Sequence, residues 1–192
     1  MAKPSPETAA SFSVEVRTPV LEELEESLST LFAHWLAIKG DHFAPTWRDF
    51  DWQQVPTTLI PWCAVADVKY DPVDFVYRYW GTARSRGQGE DFTGKSVSEF
   101  RPTSIADKAI KEYEQVVRDK APILVITSGQ TKEVYTPFSY QFLRLPFSYD
   151  GEKVDNVLGV GLYDNESKDH VAEFYGIKKK TGQLVKPRPI ES

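Results

Sequence analysis

Residues 62–80 read Trp-Cys-Ala-Val-Ala-Asp-Val-Lys-Tyr-Asp-Pro-Val-Asp-Phe-Val-Tyr-Arg-Tyr-Trp. Two runs rich in β-branched and aromatic residues, 62–70 and 74–80, flank Asp71-Pro72-Val73. That composition predicts two strands joined by a tight connection, a hairpin. Side chains alternate across a strand, so Phe75, Tyr77 and Tyr79 are expected on one face and Val76, Arg78 and Trp80 on the other.

Downstream of the hairpin the texture changes. Gly87, Gly89 and Gly94 interrupt regular structure, then Ser104 with Asp107 offers a capping box. Ile105, Ala106, Ala109, Ile110, Tyr113, Val116 and Val117 fall on one stripe. A helix is therefore predicted from near Ile105 to near Asp119, with Pro122 barring its continuation. Residues 123–128, 135–147 and 154–163 are three strand-like runs, the last two separated by a turn containing Asp150-Gly151.

Upstream, Thr18 and Pro19 suit a helix start and Gly40 a helix end, which predicts a helix over residues 19–39. Its Leu21, Leu24, Leu28, Leu31, Trp35 and Ile38 are spaced alternately by three and four. Such a seam faces another helix or a sheet, and pairing with a second copy to form a homodimer is the expectation adopted for it. The order of elements predicts an α+β domain with helices collected on one face of an antiparallel sheet. The organisation expected is a flexible arm over residues 1–17, an N-terminal helical extension over 18–61, the main domain over 62–164 and a polar, basic tail over 165–192. The tail carries Lys178, Lys179, Lys180, Lys186 and Arg188 and reads as a solvated extension.

Composition removes several function classes. The 192 residues carry 28 carboxylates against 23 Lys plus Arg, a formal net charge of −5, which does not suit a nucleic-acid partner. One cysteine, Cys63, cannot form an internal disulfide, and residues 1–17 lack the apolar run of a signal peptide, so a cytoplasmic location is expected. The most apolar stretch, residues 59–68, falls short of the roughly 20 residues a membrane-spanning helix needs. No membrane association is expected.

No metal site is expected: paired cysteines are absent, and His34 and His42 lack ligand spacing. Cys63 lies in an apolar strand, where burial makes a thiol inert, and no Gly-x-Ser-x-Gly elbow occurs. Gly87-Gln88-Gly89 and Gly159-Val160-Gly161 imitate part of a dinucleotide fingerprint without its strand-turn-helix context. Two glycines on one face of the last strand instead leave room for something to approach the sheet. The run 135–147 separates Phe138, Tyr140, Phe142 and Arg144 from Ser139, Gln141, Leu143 and Leu145. Aromatic faces with a few polar ends line small-molecule pockets, and they equally fill cores. Tyr77, Tyr79, Tyr113, Tyr140, Phe142 and Arg144 are the pocket candidates; no catalytic residue is assigned.

Ordered signals give the chain a family resemblance. They are Trp35; Pro45-Thr46-Trp47 with Asp49-Phe50; Ile60-Pro61; Val65-Ala66-Asp67; Phe75-Val76-Tyr77-Arg78-Tyr79 leading to Gly81-Thr82; Gly89 with Asp91-Phe92-Thr93-Gly94-Lys95; Tyr113; Ala121-Pro122; and Leu143-Arg144-Leu145-Pro146 before Asp150-Gly151 and Leu158-Gly159. Over residues 31–163 the chain resembles short bacterial proteins made of one PAS domain preceded by a Trp-containing helix. The resemblance implies a five-stranded antiparallel sheet of order 2-1-5-4-3 enclosing a pocket with its helices. It implies a non-enzymatic sensor or adaptor in signal transduction, binding a small organic ligand or a signalling protein and acting in trans. The expected long helix has no His where haem-binding relatives often place an axial ligand, and no Asn-Cys-Arg-Phe flavin motif occurs, so neither cofactor is expected. The rival expectation is an α+β enzyme or lipid-binding protein of NTF2-like or helix-grip type, in which Asp67, Tyr77 and Arg144 would converge.

Overall fold

The hairpin is formed as the sequence predicts, by strands Cys63–Lys69 and Asp74–Trp80. The computed structural model describes residues 11–101, 103–130 and 137–162. In chain order its strands are β1 (Ser11–Arg17), β2 (Cys63–Lys69), β3 (Asp74–Trp80), β4 (Ile123–Gln130), β5 (Pro137–Phe147) and β6 (Asn156–Leu162). All pair antiparallel in one sheet of order β1-β4-β5-β6-β2-β3. With β1 set aside and the rest renumbered from one, the order is 2-1-5-4-3 read from the β3 edge. NTF2-like and helix-grip folds pair their strands differently, so the chain has neither of those folds.

The longer helices are α1 (Glu26–Lys39), α2 (Thr82–Gln88) and α3 (Thr103–Asp119). One face of the sheet packs against α3: Ala64, Ala66, Phe75, Tyr77, Trp80, Val125 and Val157 share a core with Ile105, Ala109, Tyr113 and Val116. The other face packs against α1. There Cys63, Val65, Leu124, Leu143, Leu145, Leu158 and Val160 meet Leu28, Leu31, Phe32 and Trp35. The second face is therefore covered by α1, the helix of the N-terminal extension. Burial on both sides explains why β2 and β6 read as nearly continuous apolar runs instead of alternating.

Three N-terminal expectations are corrected. Residues 11–17, expected within a flexible arm, form strand β1 and pair with β4, which makes six strands rather than five among the described residues; residues 1–10 lie outside the described residues, as does the tail. Alternating Ser13, Val14, Glu15 and Val16 can add to a sheet edge, and the unpaired backbone groups of β4 supply the partner. The helix expected from residue 19 starts at Glu26. Leu21–Glu23 is a separate 3-10 turn, and extended Leu24 (ψ 150°) breaks the run before the Glu25 side chain accepts from the Ser27 N–H at 2.9 Å.

The third correction concerns the leucine seam. Leu24, Leu28, Leu31 and Trp35 are buried against the chain's own sheet, with Leu21 packed alongside, so they are not free to form a homodimer seam. Trp35 also donates its indole N–H to the Pro146 carbonyl at 2.9 Å, tying α1 to β5. Truncating Leu28 to Ala is expected to cost about 2–5 kcal/mol of folding free energy by chemical denaturation. Leu36→Ala, on the exposed side of the same helix, is expected to change it by less than about 0.5 kcal/mol.

Candidate functional site

A β-bulge decides which aromatics face α3. In the β2–β3 pairing Ala66 opposes Tyr77 and Val65 opposes Tyr79, so Arg78 is an extra residue on β3. Simple alternation would keep Tyr79 with Phe75 and Tyr77. The bulge instead turns Trp80 inward beside Tyr77, their ring centroids 4.7 Å apart. Tyr79 turns to the opposite face, packs against Trp52 and donates its hydroxyl to the Ile60 carbonyl at 3.2 Å. It is not a pocket residue.

Three of the remaining candidates, Tyr77, Phe142 and Arg144, line one cavity, and Tyr113 and Tyr140 pack behind it. Phe142 and Arg144 from β5 and Tyr77 from β3 border a cavity of about 50 Å³ between sheet and α3, and Trp80, Arg84, Gln88, Phe100, Ile105, Lys108, Ala109 and Glu112 complete its wall. Tyr113 lies directly beneath Arg144, whose guanidinium carbon is 4.2 Å from its ring centroid. Tyr140 is fully buried, edge-on to Phe142 with centroids 5.6 Å apart. Tyr113 donates to the Tyr77 hydroxyl at 3.4 Å.

The polar core of the site is an ion pair. Arg144 Nε donates to Glu112 Oε2 at 2.7 Å, and Nη2 donates to the same oxygen. Both side chains are buried. Gly159, directly opposite Arg144 on β6, makes the space: a Cβ there would lie 3.0 Å from Arg144 Nη1. Lys108, one helical turn before Glu112, has its Nζ 4.0 Å from Glu112 Oε1 and donates to Thr127 Oγ1 at 3.2 Å. Burial pushes the Lys108 ammonium below its ordinary value; Glu112 opposes that and Arg144 reinforces it. Burial also drives the Tyr77 hydroxyl well above its ordinary value, with Tyr113 adding to the shift.

Among the described residues, three buried N–H groups on side chains that line this cavity have no hydrogen-bond partner: Arg144 Nη1, Arg84 Nη2 and Trp80 Nε1. Arg84 is held by its Nε, which donates to the Trp62 carbonyl at 2.7 Å, and its guanidinium lies over the Trp80 and Phe142 rings. Sequence reasoning missed Trp80, Arg84, Lys108 and Glu112. The bulge hid Trp80. Glu112 carried a legible signal, since with Ile105, Ala109 and Val116 it falls at helical spacing on the apolar stripe, where an unpaired carboxylate would be costly.

Asp67 does not join Tyr77 and Arg144. It lies on the opposite side of β2, ion-paired to Arg78 Nε at 2.6 Å and accepting from Asn156 Nδ2 at 2.6 Å. Cys63 also belongs to the α1 side, donates to the Leu59 carbonyl at 3.3 Å, and burial pushes its thiol up to about 12. Among the described residues no three His, Cys, Asp or Glu side chains gather as metal ligands. The cavity is small beside the roughly 300–1,000 Å³ of pockets for drug-sized ligands, so neither a flavin nor a haem fits it as packed.

With this geometry in view, comparisons with known proteins give the family. The PAS domain model matches residues 24–162, and the chain belongs to the PAS domain family. No curated protein matches. Among solved structures, the chain is similar to a light-oxygen-voltage domain described with a flavin analogue, at 15% identity over 58% of this chain and 84% of that one, TM-score 0.38. It is similar to an RNA-binding light-oxygen-voltage receptor at 15% identity, covering 88% of this chain and 44% of that one, TM-score 0.44. It is also similar to the light-state dimer of the fungal blue-light photoreceptor Vivid, at 12% identity over 73% of this chain and 95% of that one, TM-score 0.39. No described helix is long and apolar enough to cross a membrane.

Two outcomes follow from the site. Glu112→Ala strands the Arg144 guanidinium and is expected to cost about 3–5 kcal/mol in urea unfolding, whereas Glu112→Leu combined with Arg144→Met is expected to lose less than either single change. Cys63 is expected to stay silent to a thiol reagent at about pH 8 in the native protein, because its protonated, buried thiol is a poor nucleophile, and to react fully in denaturant.

Proposed function

We propose that this PAS domain is a non-catalytic sensor module whose cavity against α3 takes a small organic ligand, and whose occupancy is read by a separate signalling protein. One observation carries the reading: buried donors without acceptors border an aromatic cavity. Buried polar groups are otherwise almost always satisfied, and leaving one unpaired costs about 1–3 kcal/mol, so a ligand that accepts from them is favoured. The absence of catalysis is supported by the chemistry of the same groups. Glu112 is engaged by Arg144, the Tyr77 hydroxyl is held protonated near neutral pH, and Cys63 lies on the other side of the sheet.

A ligand acting this way shifts populations by its differential affinity for two arrangements of the domain. The α3 side is the natural element to respond, because α3 supplies Lys108, Ala109 and Glu112 to the cavity wall. Thermal unfolding against a metabolite collection tests the proposal. A ligand at one hundred times its dissociation constant is expected to add about 2.7 kcal/mol. At roughly 2–4 °C per kcal/mol that is a rise of roughly 5–11 °C. Uniform failure across neutral, cationic and anionic compounds would remove the ligand-sensing role.

A further inference from the structure

The structure assigns the cavity a chemical class of ligand: we infer that it takes a small carboxylate, whose oxygens accept from Arg84 Nη2, Arg144 Nη1 and Trp80 Nε1. The inference rests on the ligand-sensing reading above and narrows it. Each unpaired atom there is a donor, so a ligand that only donates gains nothing from them. Among the described lining residues, Arg84 and Arg144 bring two guanidinium groups against the carboxylate of Glu112, and that carboxylate is already engaged by two N–H groups of Arg144. The site thus retains a positive balance in a poorly solvated environment, where an anion is worth more than a neutral amide.

Geometry supports a planar acceptor. Arg84 and Arg144 lie over the same Phe142 ring, with guanidinium carbons 5.2 Å and 5.8 Å from its centroid, so both cations border one aromatic wall. Arg144 and Trp80 are 5% and 4% exposed, so bulk water does not readily supply the missing acceptors. A carboxylate presents two oxygens with several lone pairs, enough for three donors, in a flat group that stacks beside rings. Size limits the acid: at about 10–15 Å³ per water-sized site, the 50 Å³ cavity holds about four non-hydrogen atoms, the size of acetate.

The test follows the Trp80 indole resonance in ¹H–¹⁵N spectra of the full chain, assigned by its loss in Trp80→Phe. Sodium chloride is replaced stepwise by sodium acetate at constant ionic strength, and acetamide is titrated in parallel at fixed chloride. A saturable movement of the indole peak with acetate, at least tenfold weaker or absent with acetamide, is expected, and Arg84→Gln should weaken the acetate response at least tenfold. Acetamide acting as strongly as acetate, or no change when acetate replaces chloride, would overturn the carboxylate assignment. The acetate–acetamide comparison needs no variant, so a poorly folded Arg84→Gln leaves it decisive. If neutral compounds stabilise the protein in the thermal collection while acetate leaves Trp80 unmoved, the ligand-sensing reading stands and only the carboxylate class falls. If nothing in either experiment binds, both fall.

Discussion

The ion pair between Arg144 on β5 and Glu112 on α3 is the constraint around which this side of the domain is built. Taking two charges out of water is expensive, and the attraction between them offsets that only when the geometry is good and the remaining donors and acceptors are used. Here Glu112 Oε2 accepts from two guanidinium N–H groups, Tyr113 offers its ring face to the cation, and Gly159 gives up a side chain to make room. Burial works against the Arg144 charge, yet Glu112 and the flanking tyrosines more than offset it and hold the guanidinium firmly protonated. What remains is Arg144 Nη1, unpaired beside Gly159, on a side chain that lines the cavity. An interaction that clamps a helix to a sheet therefore also leaves an acceptor wanted at the site.

The two faces of the sheet do different work. On the α1 side, Leu28, Leu31 and Trp35 close against aliphatic side chains from β2, β4, β5 and β6, and an aromatic group of Trp47, Phe50, Trp52 and Phe147 seals the margin with centroids 4.8 to 6.1 Å apart. The core on that side is apolar. The α3 side mixes rings with buried charge and keeps a cavity. The β3 edge is covered as well: Gly94 and Lys95 bond to Tyr77, and Val76 bridges to Ser96, which anchors the glycine-rich connection beside the cavity wall. Because α3 contributes both to the core and to the charged site, a change in the site's electrostatics reaches the packing of the helix directly.

The hairpin, the three C-terminal strands and the amphipathic helix are fixed by local patterning: periodic apolar residues, Pro and Gly punctuation and β-branched runs that state their preference within a few residues. Tyr77, Phe142 and Arg144 were readable as inward-facing because strand alternation places them there, and helix periodicity does the same for Tyr113, which packs behind them rather than lining the cavity. Strand β1 does carry a strand signal, Phe12, Val14 and Val16 alternating with Ser11, Ser13, Glu15 and Arg17, but the composition around it hid that signal, and its partner, the open edge of β4, lies more than a hundred residues away. The leucine seam showed that α1 must dock; it carried no information about the surface that receives it.

By itself, then, the sequence determined the α+β class, the order of elements from the hairpin onward and the PAS family to which those elements belong. Only the tertiary structure decided that Tyr79 turns outward while Trp80 turns in, that Asp67 stands apart from Tyr77 and Arg144, and that Glu112 is the partner Arg144 needs. The reason is the range of the interactions concerned. Periodicity is written in neighbouring residues, whereas a bulge depends on cross-strand register and a buried charge pair on two elements 32 residues apart meeting in a space that Gly159 leaves empty.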